Sequence, residues 1–172
     1  EHGDWSVTEH ASITSTMRTD RGITHELVRH RLFSFTQEST RFVNYTKREL
    51  EFIEPAFQAP SPLRFSWEAL MEEIELRYLD MVGWGANPQQ ARSILPNSLA
   101  ATIAVTGNLR NWRHFFLMRT SKETHPDFRR ITVPMLEEFK RLIPLLYDDI
   151  EPNARQIDNL KKSFLGLGLI NG

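Results

Sequence analysis

A 3.6-residue apolar stripe runs through residues 66–82: Trp67, Leu70, Met71, Ile74, Tyr78, Met81 and Val82. That spacing puts one apolar face on a helix, and the face has to be buried against something else. Ser66 stands where a cap belongs, and Gly83 and Gly85 end the pattern. Glu68, Glu72, Glu73 and Glu75 read as its solvated face. Pro55, Pro60 and Pro62 make residues 55–65 a connecting loop.

Other periods surround this helix. Ala11, Ile13 and Met17 share one parity in residues 8–18, with Ser12, Thr14 and Thr16 on the other, so a half-buried strand is expected there. His10 in that strand reads as a structural histidine. Asp20 and Gly22 break the strand, and Ile23, Leu27 and Val28 predict a short helix carrying Arg29 and His30. Phe42, Val43 and Tyr45 suggest a further short strand after Arg41. Asn87-Pro88 is a cap followed by proline at the first helical position, opening a short helix that ends near Pro96. Residues 98–106 fit either a buried strand or a small-residue helix, and periodicity does not choose. Gly107 punctuates, and Asn108 can cap a helix through about Met118. A last helix begins near Pro126 with Phe128, Ile131, Met135, Phe139 and Leu142 inward, kinked or interrupted at Pro134. The sum is an α+β chain, helices packed on a small antiparallel sheet, read as a single domain over residues 1–172.

Composition narrows the chemistry. The net charge of −1 gives no global basic field, so anions must be bound by local clusters and no nucleic-acid partner is expected. No run of about 18 apolar residues spans a bilayer, and no signal peptide opens the chain. A cytoplasmic location is the default. There is no cysteine, which removes disulfides, thiolate metal sites and cysteine nucleophiles together. The six histidines, His2, His10, His25, His30, His114 and His125, make no metal-ligand spacing, so no metal is expected. Gly166, Gly168 and Gly172 make a poor phosphate loop, and no dinucleotide-binding glycine fingerprint or Walker loop is present.

Two basic segments remain. Arg29-His30-Arg31 is followed by Ser34, Ser39 and Arg41. These guanidiniums could offer planar forks to phosphate or a carbonyl edge. The alternative is plain complementarity between cations and a helix C-terminus. The second segment, Asn108 to Arg119, puts Arg110, His114 and in one arrangement Arg113 on one side of a helix, with Leu109, Trp112 and Phe116 on another. A solvated basic face is the ordinary reading of such a helix. Its donors would also suit a large, flat, anionic cofactor. Arg92, taken alone, reads as a surface arginine.

The pattern Arg-His-Arg-x2-Ser-x4-Ser-x-Arg over residues 29–41 resembles the defining motif of the flavin-dependent thymidylate synthases. Glu9-His10 upstream, Ala91-Arg92 through Leu95-Pro96, and Asn108-x-Arg110 with His114 and Arg119 follow in that family's order. The resemblance covers most of the chain. It implies the family's own α+β fold, and an enzyme that methylates dUMP to dTMP. Methylenetetrahydrofolate would give the one-carbon unit, FAD the hydride, and NADPH the reducing power. It implies flavin contacts from Ser6, Arg29, His30, Arg31, Gln37, Asn108, Arg110 and His114. Glu26, Arg29, Gln37, Ser39, Arg41, Arg92 and Arg119 would surround dUMP. Arg119 is the expected catalytic residue, polarising the uracil as negative charge develops. A homotetramer with shared active sites is the implied assembly. The absent cysteine agrees, because a flavin hydride route needs no thiolate attack on uracil.

Departures mark this chain. Thr36-Gln37 stands where the family usually has Asn-Glu, and Glu26 where it has Gln. His125 falls two residues later than the family's histidine, and the family's usual N-terminal strand and helix would precede Glu1. A related flavoenzyme acting on a modified pyrimidine deoxynucleotide, and a non-catalytic nucleotide- or RNA-binding module, are the alternative readings.

Overall fold

The computed structural model describes residues 4–57 and 61–158. His2, Pro60 and the glycines at 166, 168 and 172 lie outside the described residues. Strands β1 (Ser12–Asp20), β2 (Ser34–Gln37) and β3 (Ala100–Asn108) form one antiparallel sheet in the order β1-β3-β2. Ala11 is bonded to Leu109, Thr14 to Thr106, Arg18 to Thr102 and Arg21 to Leu99, so one number falls as the other rises. The α+β reading holds. Residues 98–106, open between strand and helix in the sequence, are strand from Ala100 onward. Ile103 and Val105 are fully buried.

The chain divides into two units. One combines residues 1–15, 30–35 and 105–172; the other combines 16–29 and 36–104. The first unit is built around helix α4 (Leu109–Arg119). Asn108 caps it, its side chain accepting the Asn111 amide hydrogen at 2.8 Å. Trp112, Phe115 and Phe116 are fully buried on this helix. Phe128 and Phe139 of α5 (Pro126–Leu142) and Tyr147 of α6 (Pro144–Tyr147) complete the cluster. Ring pairs such as Phe33–Trp112 (4.7 Å) and Phe116–Phe139 (4.9 Å) meet edge to face, each worth about 0.5–1.5 kcal/mol beyond burial. The Trp112 indole donates to the Ile13 carbonyl at 3.1 Å, and the Tyr147 hydroxyl to the Leu109 carbonyl at 2.9 Å. In this way Trp112 and Tyr147 bring their polar atoms in satisfied.

The ends of α5 need correction. The helix runs through Pro134 without interruption. Leu136 takes the inward position, and Leu142 is 54% exposed. The stripe Phe128, Thr132, Leu136, Phe139 is the true 3.6-period face, with a threonine inside it. The Thr132 hydroxyl reaches the Phe128 carbonyl, which makes it acceptable there. At the N-terminal side, residues 5–9 form a 3-10 turn rather than the start of the strand, and His10 is its exposed cap.

In the second unit the predicted long helix is α2 (Pro62–Gly83). It begins four residues before Ser66: Ser61 is the cap residue and Pro62 the first helical position. Trp84 ends it. Gly85 at φ +97° donates to the Val82 carbonyl, and Ala86 to Met81, a Schellman closure that requires the left-handed glycine. Met71 and Tyr78 are the buried members of the stripe, whereas Leu70 is exposed. Tyr78 joins Tyr45, Leu50, Ala91 and Leu99 in a small core with Val43, Phe52, Ile94 and Leu95 around it. Helix α3 (Pro88–Ala91) opens with the expected cap, which is a complete capping box between Asn87 and Gln90.

Two expectations in this unit fail. Helix α1 (Arg21–Leu27) stops at Leu27 and does not carry Arg29. The strand does end at Asp20, whose side chain accepts the Ile23 amide hydrogen and caps the helix that follows directly. Residues 42–45 form no strand; the short strand is β2, inside the motif. Val43 and Tyr45 are apolar because they pack into the core. Asn44 folds the backbone into a turn by accepting from the Thr46 amide at 2.9 Å.

Candidate functional site

Each unit gathers a set of the residues singled out above. In the first unit the central contact joins His30 to Arg119. Arg119, at the C-terminus of α4, donates its Nε hydrogen to His30 Nε2 at 2.7 Å. Its guanidinium lies over the Phe128 ring, 5.1 Å from the centroid. The Arg119 carbonyl accepts the Thr132 hydroxyl at 2.7 Å. The His30 ring packs edge-on against Phe115 at 5.0 Å and Phe33 at 6.4 Å. Burial, then the Arg119 and His114 charges, push the His30 imidazolium down to about 4, so the ring is neutral at physiological pH. An arginine only donates, hence His30 Nε2 bears the lone pair and Nδ1 the proton.

The rest of that set lies along α4 and the N-terminal turn that packs on it. Arg110 pairs with Glu9 at 2.5 Å, both side chains half exposed. His114 follows one turn later and is exposed. Ser6 is exposed in the 3-10 turn. Arg31 is exposed just after His30 and has no ion-pair partner among the described residues. Asn108 commits its side-chain oxygen to the helix cap.

Arg113 behaves differently from its neighbours. It is buried, at 5% exposure, and forks onto the Asp149 carboxylate at 2.7 and 2.5 Å. It also reaches the Leu146 carbonyl and stacks on Trp5 at 4.7 Å. Burial works against the Asp149 carboxylate, but the Arg113 bond and charge outweigh it and hold that carboxyl below the usual range. The sequence did contain the signal for this. Leu109, Trp112, Arg113 and Phe116 fall at i, i+3, i+4 and i+7, so Arg113 belongs to the core face and not to the Arg110 side.

The second unit holds Glu26, Arg29, Gln37, Ser39, Arg41 and Arg92. Gln37 on β2 donates to the Thr24 hydroxyl at 3.0 Å, tying β2 to α1, the helix that also carries Glu26. Ser39 Oγ accepts the Arg41 amide hydrogen at 3.3 Å. The Arg41 guanidinium sits over Phe42 at 5.4 Å. Arg92 lies in the 3-10 turn after α3, not on an open surface unconnected to the motif, and reaches the buried Thr40 hydroxyl at 3.4 Å. Arg29 is exposed beyond α1, its amide donating to the Glu26 carbonyl. Thr24 and Thr40, the hydroxyls that connect these parts, were not singled out from the sequence. Among the described residues, no group of three or more His, Asp or Glu is placed to hold a metal ion. No described helix is long and apolar enough to cross a membrane.

The donors thus assembled are guanidiniums, imidazoles, amides and hydroxyls on an α+β frame, the set that suits phosphate and planar carbonyl edges. The chain belongs to the family described as thymidylate synthase complementing protein, whose model matches residues 1–145. It is 36% identical to the flavin-dependent thymidylate synthase of Corynebacterium efficiens over 88% of this chain and 66% of that protein. Proteins of the same name from Corynebacterium aurimucosum (35%, covering 87% and 66%) and Mycobacteroides abscessus (34%, covering 88% and 66%) are also similar. The chain therefore spans just under two thirds of the length of these relatives.

Proposed function

We propose that this chain is a flavin-dependent thymidylate synthase that methylates dUMP to dTMP. The observation that carries this reading is the His30–Arg119 contact, because it joins the Arg-His-Arg motif to a cation fixed in two directions. A cation held beside a base on which negative charge develops lowers the barrier without reorganising during the reaction. Arg119 takes that role. Glu26, Arg29, Gln37, Ser39, Arg41 and Arg92 surround the nucleotide, with arginines for its phosphate.

The donors fit an FAD as well. We infer the flavin contacts at Ser6, Arg29, His30, Arg31, Gln37, Asn108, Arg110 and His114, which carry hydroxyl, amide, imidazole and guanidinium groups. When bound, FAD supplies the hydride; the protein orients it against the base. Methylenetetrahydrofolate gives the one-carbon unit to uracil C5, and NADPH is the reductant. The absence of cysteine fits this chemistry, since no thiolate has to attack the ring.

A homotetramer completes the reading. Helix α2 buries only part of its apolar surface: Leu63, Phe65, Leu70 and Leu76 are each more than half exposed. Apolar residues on several faces of one long helix suit burial by another copy of the chain.

A second reading keeps the flavin chemistry and changes the base. Gln37 spends its amide on Thr24, and Glu26 brings a carboxylate to the same unit, which favours a modified pyrimidine deoxynucleotide.

The test is tritium release from 5-tritiated dUMP with methylenetetrahydrofolate, FAD and NADPH. Release supports the dUMP reading. Flavin absorbance without release turns the case to the modified nucleotide, and failure to bind FAD ends both. Arg119→Ala should lower turnover about 10²–10³-fold, as removal of a transition-state donor does, with flavin binding kept. Light scattering on the purified protein should give a mass four times that of the chain.

A further inference from the structure

Residues Gln37 to Arg41 run through the proposed nucleotide site, and four of the five are bonded within it. Gln37 donates to the Thr24 hydroxyl at 3.0 Å, Ser39 Oγ accepts the Arg41 amide hydrogen at 3.3 Å, and Thr40 takes Arg92 at 3.4 Å. Glu38 is the exception. It brings a carboxylate to the middle of a segment that has to hold an anion, where like charge repels.

The backbone leaves Glu38 little freedom. Its amide donates to the Thr102 carbonyl at 3.0 Å, which extends the pairing of β2 with β3 by one residue. The carboxylate is thereby kept next to Gln37 and Ser39, and it meets the Arg48 guanidinium in a salt bridge. Two further charges stand around the same rung. Arg18 of β1 donates to the Thr102 hydroxyl at 3.3 Å and forks onto the Glu51 carboxylate. That carboxyl is held below its usual range, first by the Arg18 bond, with the Arg48 charge adding to it. Burial pushes the Tyr45 hydroxyl up; the Glu38 charge pushes it further, and the Arg48 charge pulls it back. Two arginines and two carboxylates therefore cancel, and removing Arg48 leaves a net negative charge beside the motif.

Stability does not account for the Arg48–Glu38 pair. The side chains are 49% and 25% exposed, and pairs so open to water add little to folding. A charge near an anion site acts differently, since repulsion of a phosphate needs no contact.

We propose that Arg48 is a positioning residue of the nucleotide site: it draws the Glu38 carboxylate aside and cancels its charge, so that the arginines meet the phosphate unopposed. This rests on the assignment of Arg41 and Arg92 to the nucleotide. The phosphate is remote from the reacting carbon, so ground state and transition state are affected alike. Loss of Arg48 therefore appears in KM and not in kcat.

Three variants separate charge from packing. In the flavin-loaded protein, Arg48→Ala should raise KM for dUMP in the tritium-release assay about 10-fold, the low end of what a local field does to a charged ligand. The kcat and the melting temperature should be little changed, and calorimetric titration with dUMP should show the same loss of affinity. Arg48→Lys keeps the charge and should stay near the parent. Arg48→Ala combined with Glu38→Gln removes both charges and should restore the parent's KM. Added salt should narrow the gap between Arg48→Ala and the parent, as screening does for exposed charges.

A double variant as weak as Arg48→Ala alone would overturn the proposal, because the pair would then hold the turn and not cancel a charge. Arg48→Ala that binds dUMP like the parent would overturn it too, and so would a fall in kcat at unchanged KM. Each of these outcomes leaves the nucleotide reading standing, since the parent still binds and turns over dUMP. A parent that takes up FAD and gives no heat with dUMP removes the dUMP reading itself, and this inference with it.

Discussion

The segments 29–41 and 108–119 are alike in composition and differ in how the backbone disposes of their cations. The first is turn, short strand and turn. Arg29, Arg31 and Arg41 stay exposed, and the bonds that shape the segment come from Gln37 and Ser39. The second is a helix, and its position around that helix decides each residue's fate. Arg110 falls outside and takes a surface partner, Arg113 falls inside and takes Asp149, and Arg119 at the end takes His30. A helix sorts cations by angle, whereas a turn leaves them in solvent, where an anionic ligand can reach them. Removing each kind in turn should expose the difference.

The largest effect is expected at Arg113. Arg113→Ala leaves a cavity under Trp5 and strips Asp149 of its partner. Breaking such a pair costs about 3 kcal/mol when one member is buried and the other half exposed, the low end of the usual range. Urea denaturation should show that loss, with FAD affinity unchanged in the folded fraction. If stability is kept and FAD binding is lost, Arg113 belongs with Arg110 after all and the sorting by angle is wrong.

Gly107→Ala comes next. Residues 30–35 are held in the first unit by the packing of Phe33 as well as by the His30 and Leu32 bonds to α4. A Cβ on Gly107 would lie 2.4 Å from two atoms of the Phe33 ring, which must then move against Trp112 and Phe115. Overpacking of this kind costs about 1–3 kcal/mol. Denaturation checks the stability, and near-UV circular dichroism should report the shifted rings. An unchanged spectrum would mean that Phe33 is not what holds residues 30–35.

These cases show what could be read in advance. Caps were legible because their chemistry is local: Asn87, Asn108 and the start at Pro126 needed only neighbours within a turn of chain. The motif at 29–41 was legible as a set of residue types at fixed spacing. Its backbone was not, because the apolar residues Val43 and Tyr45 that looked like a strand are apolar for a core formed with Tyr78 and Leu99, far away in sequence. The β2 pairing had the same difficulty: Glu38 bonds Thr102, a partner that no local pattern names. Arg113 was missed for a different reason. Its charge groups it with Arg110, whereas its place in the stripe puts it in the core, and burial is open to an arginine that is paired. Among the candidate site residues, the contact of His30 with Arg119 lay beyond spacing altogether, since 89 positions separate them.

The pH dependence of stability sharpens the contrast between Arg113 and Arg119. The folded chain holds His30 at about 4 against an ordinary value of 6.5. Between those values the unfolded chain binds a proton that the folded chain refuses, so stability is full above 6.5 and falls as pH drops through that window. Arg119 and His114 are the charges responsible after burial itself. Melting curves taken above 6.5 and again near 5 should show the fall in the parent. His30→Gln should flatten it, and Arg113→Ala should not. A slope that survives His30→Gln would assign it to other groups.

The smallest effect is expected at Arg110. Its pair with Glu9 is short but half exposed on both sides, and salt screens it. Exposed pairs of this kind contribute about 0–1 kcal/mol. Arg110→Ala should therefore leave the urea midpoint almost where it was, while weakening FAD binding if this side of α4 faces the cofactor. The two readouts must separate in the opposite sense to Arg113→Ala. Raising the salt concentration should reduce the FAD affinity of the parent more than that of the variant, because the variant has already lost one screened charge. If Arg110→Ala destabilises the fold as much as Arg113→Ala, then angle around α4 does not decide what a cation does, and the Glu9 pair is part of what holds the N-terminal turn onto the helix.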